Sequence, residues 1–307
     1  MSKQAILFAG QGAQFVGMGQ DLAAAYPACQ ALFDKADEVL GYSISDICFN
    51  GPAEELTKTK HCQPGIFVAS IACYTALKAE KPELEFAAAA GLSLGEWSAL
   101  HMAGALTFED TLKVLEARGR FMQEACDATD GGMLSVIGLD LTQLEAVCAQ
   151  TGVFIANLNS PAQTVLSGPK AGIAAAEAAA KEAGAKRAIV LPVAGAYHSE
   201  LMASAAPKLA EVLASVEIAT PSIPVISNVT GKAHGSPDEI RATMVKQVTN
   251  SVHWYEGIDV IKAAGVTACV ECGPGKVLSG LMRRLDRDMG MANIQDAATL
   301  AAFVEKS

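Results

Sequence analysis

Short apolar runs and segments of helical period alternate along the first part of the chain. Residues 5–9 and 86–91 read as strands, whereas residues 63–79 and 94–102 repeat apolar side chains at helical spacing. That alternation predicts parallel α/β structure. From about Gly131 the order changes to strand 133–138, helix 142–150, strands 153–157 and 163–167, helix 171–183 and strand 187–193. This β-α-β-β-α-β succession is the ferredoxin-like order. The Ala-rich stretch inside it, residues 171–185, carries alanines and Glu/Lys pairs that favour helix.

After Val193 the first rhythm resumes, with helix 200–216, strand 224–229, helices 237–248 and 255–264, and strand 266–272. The small unit therefore reads as an insertion at residues 128–197 into a larger α/β domain built from residues 1–127 and 198–307. Asp130-Gly131-Gly132 supplies a hinge, because glycine takes up unusual backbone angles cheaply. The junction between the two units is where a pocket is expected.

Length and composition agree with a large core: 307 residues, 51% of them hydrophobic. The 23 Lys and Arg against 33 Asp and Glu give a net charge of −10, which argues against a nucleic-acid or anionic-membrane surface. No apolar stretch is long enough to span a bilayer, and the opening MSKQAILFAG lacks the basic, long-apolar and small-residue sections of a signal peptide. A cytoplasmic protein is the expectation. Eight cysteines scattered over a long chain fit a reduced compartment. Only Cys269 and Cys272 form a CxxC pair, and they sit in an alternating apolar run without a second pair. Strand packing is expected there rather than a zinc site or redox couple, and no metal is expected.

Candidate chemistry concentrates at Gly91-Leu92-Ser93-Leu94-Gly95. This G-x-S-x-G follows a strand-like run and opens a helix, the context in which a sharp turn exposes the serine and the next N–H sits at a positive helix end. A serine hydroxyl is a weak nucleophile near neutral pH and needs a base. Of the five histidines, His61, His101, His234 and His253 have polar or helical surroundings that suit structural or surface roles. His198 stands apart, between a strand end and a predicted helix with Ser199 as its N-cap, where the positive helix end would keep the imidazole neutral.

Arg118 falls on the apolar stripe of Val114, Leu115, Phe121, Met122 and Ala125 in a helix predicted to begin near Thr107. A guanidinium there requires a carboxylate or phosphate, supplied either by an acidic side chain of this chain or by an acidic substrate. Near the start, Gly10-Gln11-Gly12 follows a strand but fits neither a dinucleotide fingerprint nor a P-loop. It is either a tight turn or a source of backbone N–H donors.

Together these segments resemble the malonyl-CoA:acyl carrier protein transacylases of fatty-acid synthesis and the acyltransferase domains of polyketide synthases, over nearly the whole chain. The resemblance is carried, in the family's order, by Phe8-Ala9-Gly10-Gln11-Gly12-Ala13-Gln14, residues 91–96, Arg118, Asn157-Leu158-Asn159-Ser160-Pro161 and Gly195-Ala196-Tyr197-His198-Ser199. Gln247 ahead of Val252-His253-Trp254, and Glu271-Cys272-Gly273-Pro274-Gly275, extend it. It implies an α/β-hydrolase-like large domain beside the inserted ferredoxin-like unit, with Ser93 as nucleophile and His198 as base. Gln247 would orient His198 through its side-chain or backbone oxygen, with no acidic third member.

The same resemblance implies oxyanion donors at the backbone N–H groups of Gln11 and Leu94, and Arg118 on a malonyl carboxylate. It makes Tyr197 a mark of malonyl over methylmalonyl selectivity. The implied reaction moves malonyl from malonyl-CoA to Ser93 and then to the phosphopantetheine thiol of an acyl carrier protein, in a monomer without a further cofactor. One departure from the family matters: Leu92 stands where a histidine usually precedes the serine.

Two other readings use parts of this pattern. An α/β-hydrolase esterase would share the elbow but need an acidic triad member and a continuous hydrolase sheet. A catalytically silent carrier-protein-binding module would follow if Leu92 disabled the site. Carrier proteins are typically acidic, so a chain of net charge −10 needs a local basic patch to dock one. Arg283, Arg284 and Arg287, after Gly280, are candidates, against the alternative of a solvated helix end.

Overall fold

The structure, a computed structural model, describes residues 3–306 and begins with β1 (Lys3–Phe8), buried from Ala5 onward. Five helices precede the next strand: α1 (Gln20–Ala25), α2 (Pro27–Leu40), α3 (Ile44–Asn50), α4 (Ala53–Thr57) and α5 (Thr59–Glu80). Only α5 corresponds to an expected helix. Three of the others span seven residues or fewer, too few for a helical period to register. The longer α2 does carry a buried stripe, Cys29, Phe33 and Ala36.

β2 (Ala88–Gly91) and α6 (Leu94–Met102) form the expected strand-to-helix turn. The Thr107 hydroxyl then caps α7 (Phe108–Asp127) by accepting the Asp110 N–H at 3.1 Å. Next come β3 (Gly131–Ile137), α8 (Leu141–Thr151), β4 (Phe154–Ser160), β5 (Gln163–Pro169), α9 (Lys170–Glu182) and β6 (Arg187–Val190). They keep the β-α-β-β-α-β succession and pair as a separate antiparallel sheet in the order β4-β5-β3-β6. α8 and α9 cover one face of that sheet around Leu134, Leu144, Leu166 and Ile173.

The chain returns through a 3-10 turn (Glu200–Met202), α10 (Ala205–Ala214), α11 (Pro237–Lys246), α12 (Trp254–Ala263), β7 (Val266–Cys272), α13 (Val277–Leu285), β8 (Gly290–Ile294) and α14 (Ala297–Val304). The larger sheet is parallel, ordered β2-β1-β7-β8, with Ala5 facing Ala88 on one side and Cys269 on the other. Neither β8 nor α14 was anticipated. The helix expected over 200–216 is divided, because Pro207 inside such a helix would remove a backbone bond and clash with the preceding turn. Starting α10 at Ala205 puts Pro207 in the first turn, where its missing N–H costs nothing. The strand expected over 224–229 shrinks to single bridges, Val225 to Ala89 and Ile226 to Ala233, before the chain turns at Asn228.

The CxxC pair lies on β7, with Cys269 in one core cluster and Cys272 in another; three residues apart on a strand, they face opposite sides. Both are free thiols. Arg283, Arg284 and Arg287 are exposed, Arg287 beyond the end of α13, and Arg284 donates to the Gln163 side chain of β5. No described helix is long and apolar enough to cross a membrane.

Candidate active site

Ser93 sits at the turn between β2 and α6 with φ 52° and ψ −103°, a conformation that a non-glycine residue adopts only under constraint. Glycines make the turn tight enough. A Cβ on Gly91 would lie 1.9 Å from the Gly95 carbonyl carbon, and one on Gly95 would lie 2.1 Å from the Phe8 carbonyl oxygen. α6 can therefore press against the end of β1. Asn228 holds the elbow from below: its Oδ1 accepts the Ser93 N–H at 2.6 Å and its Nδ2 donates to the Gly91 carbonyl at 2.8 Å. Leu94 is the first helical residue, so its N–H has no partner within α6 and lies at the positive end of the helix.

His198 is 4% exposed and has φ 58°. Its Nδ1 faces two main-chain oxygens, Gln247 at 2.8 Å and Asn250 at 3.2 Å. Carbonyls only accept, so Nδ1 carries the hydrogen and Nε2 presents a lone pair to Ser93 Oγ, 2.9 Å away. Of the two oxygens the sequence left open for Gln247, the backbone one meets the imidazole. Burial, followed by the Arg118 charge, pushes the His198 pKa down to about 4. This corrects the expected cause: α10 starts only at Ala205, and neutrality comes from burial and the guanidinium.

Arg118, on the apolar face of α7, is 1% exposed. It donates from Nη1 to Gln63 Oε1 at 2.7 Å and from Nη2 to Gln247 Oε1 at 3.0 Å and Ser93 Oγ at 3.1 Å. All three are neutral oxygens, and Nε has no partner among the described residues. Burial lowers its pKa to about 10, opposed chiefly by the charge of Glu96. The intramolecular ion pair that sequence left open is not formed. The guanidinium is charged, desolvated and lacks a contacting carboxylate, the nearest acidic influence being Glu96 beyond Gln247.

Beneath the elbow lies a set of residues that the sequence reading did not assign. Glu96 is fully buried and accepts from His234 Nε2 at 2.7 Å, the Asn228 N–H at 3.1 Å and Gln247 Nε2. Gln247 Nε2 also donates to the Ser93 carbonyl at 3.0 Å. One side of Gln247 thus seats His198 and the other seats Arg118. Glu96 had a signal in the residue following the G-x-S-x-G; His234, in a loop far along the chain, had none.

Ser93, His198 and Arg118 open into a cleft of about 260 Å³ between the strand ends of the larger sheet and the face of the smaller one. Met122, Met133, Val165 and Leu191 make its walls apolar, and Asn157 and Asn159 of β4 add amides. Gln11 lines it as well. In that turn Gly12 N–H is taken by the Gln14 side chain at 2.8 Å, while the Gln11 side chain donates to Tyr197 Oη at 3.2 Å. Tyr197 Oη also meets Thr59 Oγ1 at 3.0 Å. Leu92 borders the cleft and packs half-buried on the cluster containing Ile226, Val252 and Trp254.

A serine relieved of its proton by a carbonyl-seated histidine, within reach of a guanidinium that lacks an acid, is equipped for acyl transfer with an acidic acyl group. The fold and this site define a serine acyltransferase. The acyl transferase domain family matches residues 6–302, and the chain belongs to that family. It is 43% identical to the malonyl CoA-acyl carrier protein transacylase of Bacillus subtilis, over 99% of this chain and 97% of that protein. The acyl carrier protein S-malonyltransferase of Vibrio cholerae superposes with a TM-score of 0.94 at 40% identity, covering 98% of this chain and 100% of the other. A malonyl-transacylase in complex with a type II polyketide synthase acyl carrier protein gives 0.95 at 40% identity, with both chains fully covered.

Proposed function

We infer that this enzyme transfers a malonyl group from malonyl-CoA to an acyl carrier protein through a malonyl ester on Ser93, supplying malonyl-carrier protein for chain building. The observation that carries the reading is Arg118: buried, charged and without a carboxylate of its own, with Nη2 3.1 Å from Ser93 Oγ.

In the first half-reaction His198 Nε2 takes the Ser93 proton as Oγ attacks the thioester carbonyl. The oxyanion is held by the N–H groups of Leu94 and Gln11. Collapse breaks the C–S bond, and the imidazolium returns the proton to the departing thiolate as coenzyme A. In the second half-reaction the phosphopantetheine thiol gives its proton to His198, its sulfur attacks the malonyl-serine carbonyl, and Ser93 leaves with the proton restored. Arg118 grips the malonyl carboxylate in both halves, fixing the carbonyl against Oγ. Every group in this scheme belongs to one chain, so the proposed reaction needs no second copy. No further cofactor is required by it.

Mixing the protein with malonyl-CoA and following the Ser93 peptide by mass spectrometry tests the proposal. A malonyl adduct that disappears on adding carrier protein, with malonyl-carrier protein formed, is the expected result. An adduct lost to water at the same rate with or without carrier protein would mark an esterase, and no adduct a silent binding module.

A further inference from the structure

We propose that Glu96 is a positioning residue that turns the Gln247 side chain so that Arg118 faces the acyl pocket, and that preference for a malonyl over an acetyl group depends on it. The inference rests on the reading of Arg118 given above.

Glu96 is the third residue of α6, fully buried, with no lysine or arginine in contact among the described residues. Its Oε2 receives the backbone N–H of Asn228 at 3.1 Å, and a backbone N–H can only donate. That oxygen is therefore an acceptor, and the end of Gln247 that meets it must be the NH2 group. The second hydrogen of the same NH2 goes to the Ser93 carbonyl, also an acceptor. With both hydrogens used on this side, Gln247 Oε1 is turned outward to take Arg118 Nη2 at 3.0 Å. A reversed amide would set an NH2 against the guanidinium and an oxygen against two other oxygens. Glu96 and the Ser93 carbonyl together fix which end of Gln247 Arg118 sees, and Glu96 is the side chain of that pair. His234, 1% exposed at its side chain, donates to Glu96 Oε1 at 2.7 Å and keeps the carboxylate from turning away.

What matters in this arrangement is an acceptor at a fixed depth, not a charge, and two substitutions separate the alternatives. In Glu96→Gln the amide oxygen can serve Asn228 and Gln247, while its NH2 meets His234 in the other tautomer. In Glu96→Asp the charge stays but the acceptor withdraws by one methylene. The measurement is the ratio of malonyl to acetyl transfer onto Ser93 from the two coenzyme A thioesters, with thermal unfolding to check the fold. Glu96→Asp is expected to lower that ratio about tenfold, mostly by losing malonyl transfer, and Glu96→Gln to hold it within about threefold. In an Arg118→Ala background Glu96→Asp should change the ratio no further, since coupled residues act as one.

Equal loss of malonyl and acetyl transfer in Glu96→Asp would show a merely structural role and overturn the proposal. A fall in Glu96→Gln as large as in Glu96→Asp, or tighter malonyl binding on neutralisation, would assign the effect to charge and overturn it as well. If Arg118→Ala alone leaves the ratio unchanged, the reading of Arg118 fails first, and is recognised as such by that single variant.

Discussion

Ser93 and His198 are the two non-glycine residues with positive φ among the described residues, and their side chains meet at 2.9 Å. Each such backbone costs of order 1–3 kcal/mol, so both must be held from outside. Asn228 holds the serine N–H, and the carbonyls of Gln247 and Asn250 hold the imidazole. Strain at the nucleophile and at its base is thus supported by neighbouring loops of the same domain, and the consequences can be measured.

Burial and then the Arg118 charge disfavour the imidazolium and push the His198 pKa down from 6.5 to about 4. The acid limb of kcat/KM for malonyl transfer should therefore lie near pH 4, with full activity at pH 6. Stability follows the same sign. A histidine whose folded pKa is depressed binds fewer protons folded than unfolded, so stability falls as pH drops from about 6.5 to 4, by roughly 3 kcal/mol in all. Unfolding midpoints for the protein and for His198→Ala across this window check it: the variant should lack that part of the slope.

Arg118→Ala should reduce kcat/KM for malonyl transfer about 100-fold, equivalent to about 3 kcal/mol for a buried charged pair that has lost one member. Acetyl transfer should fall far less. Arg118→Lys keeps the charge but cannot reach Gln63, Gln247 and a carboxylate together, and should recover only part of the loss. Parallel assays with the two thioesters decide the matter; an equal drop in both removes the assigned role.

Gly95→Ala should be severely destabilising, because its Cβ would meet the Phe8 carbonyl oxygen at 2.1 Å and the Ala9 carbonyl oxygen at 2.8 Å, and both are backbone. A loss at the upper end of overpacking costs, about 3 kcal/mol or more, is expected from denaturant midpoints. Gly280→Ala, where nothing lies within 4 Å of the added methyl, serves as the control and should leave the midpoint unchanged or raised.

Leu92→His tests the departure beside the nucleophile. Leu92 packs half-buried on an apolar cluster, so histidine there should cost about 1 kcal/mol of stability through lost burial. With His198 as the proposed base, kcat should stay within about threefold, and any larger change should appear in KM for the thioester. A kcat collapse would mean that Leu92 shapes the elbow itself.

Much of the site was legible because its chemistry is written in short segments. Gly91, Ser93 and Gly95 encode the elbow, since only glycines permit that approach of α6 to β1. The inserted unit was legible too, because strands and helices of ordinary length alternate there. The split at Pro207, the shrinking of the strand near Val225, and the short helices α1, α3 and α4 were not, because packing on neighbours rather than local period holds those segments.

The sequence by itself singled out Ser93, His198 and a guanidinium on an apolar helix face as candidates, and the family resemblance joined them into one class of chemistry. Tertiary structure decided what those groups do to one another. It placed Gln247's main-chain oxygen on His198 and its side chain under Arg118, buried Glu96 with His234 beneath them, and left Arg118 without a contacting carboxylate. The reason is physical. Local pattern fixes which groups a segment carries, but desolvation and hydrogen-bond direction depend on which distant segments close around them.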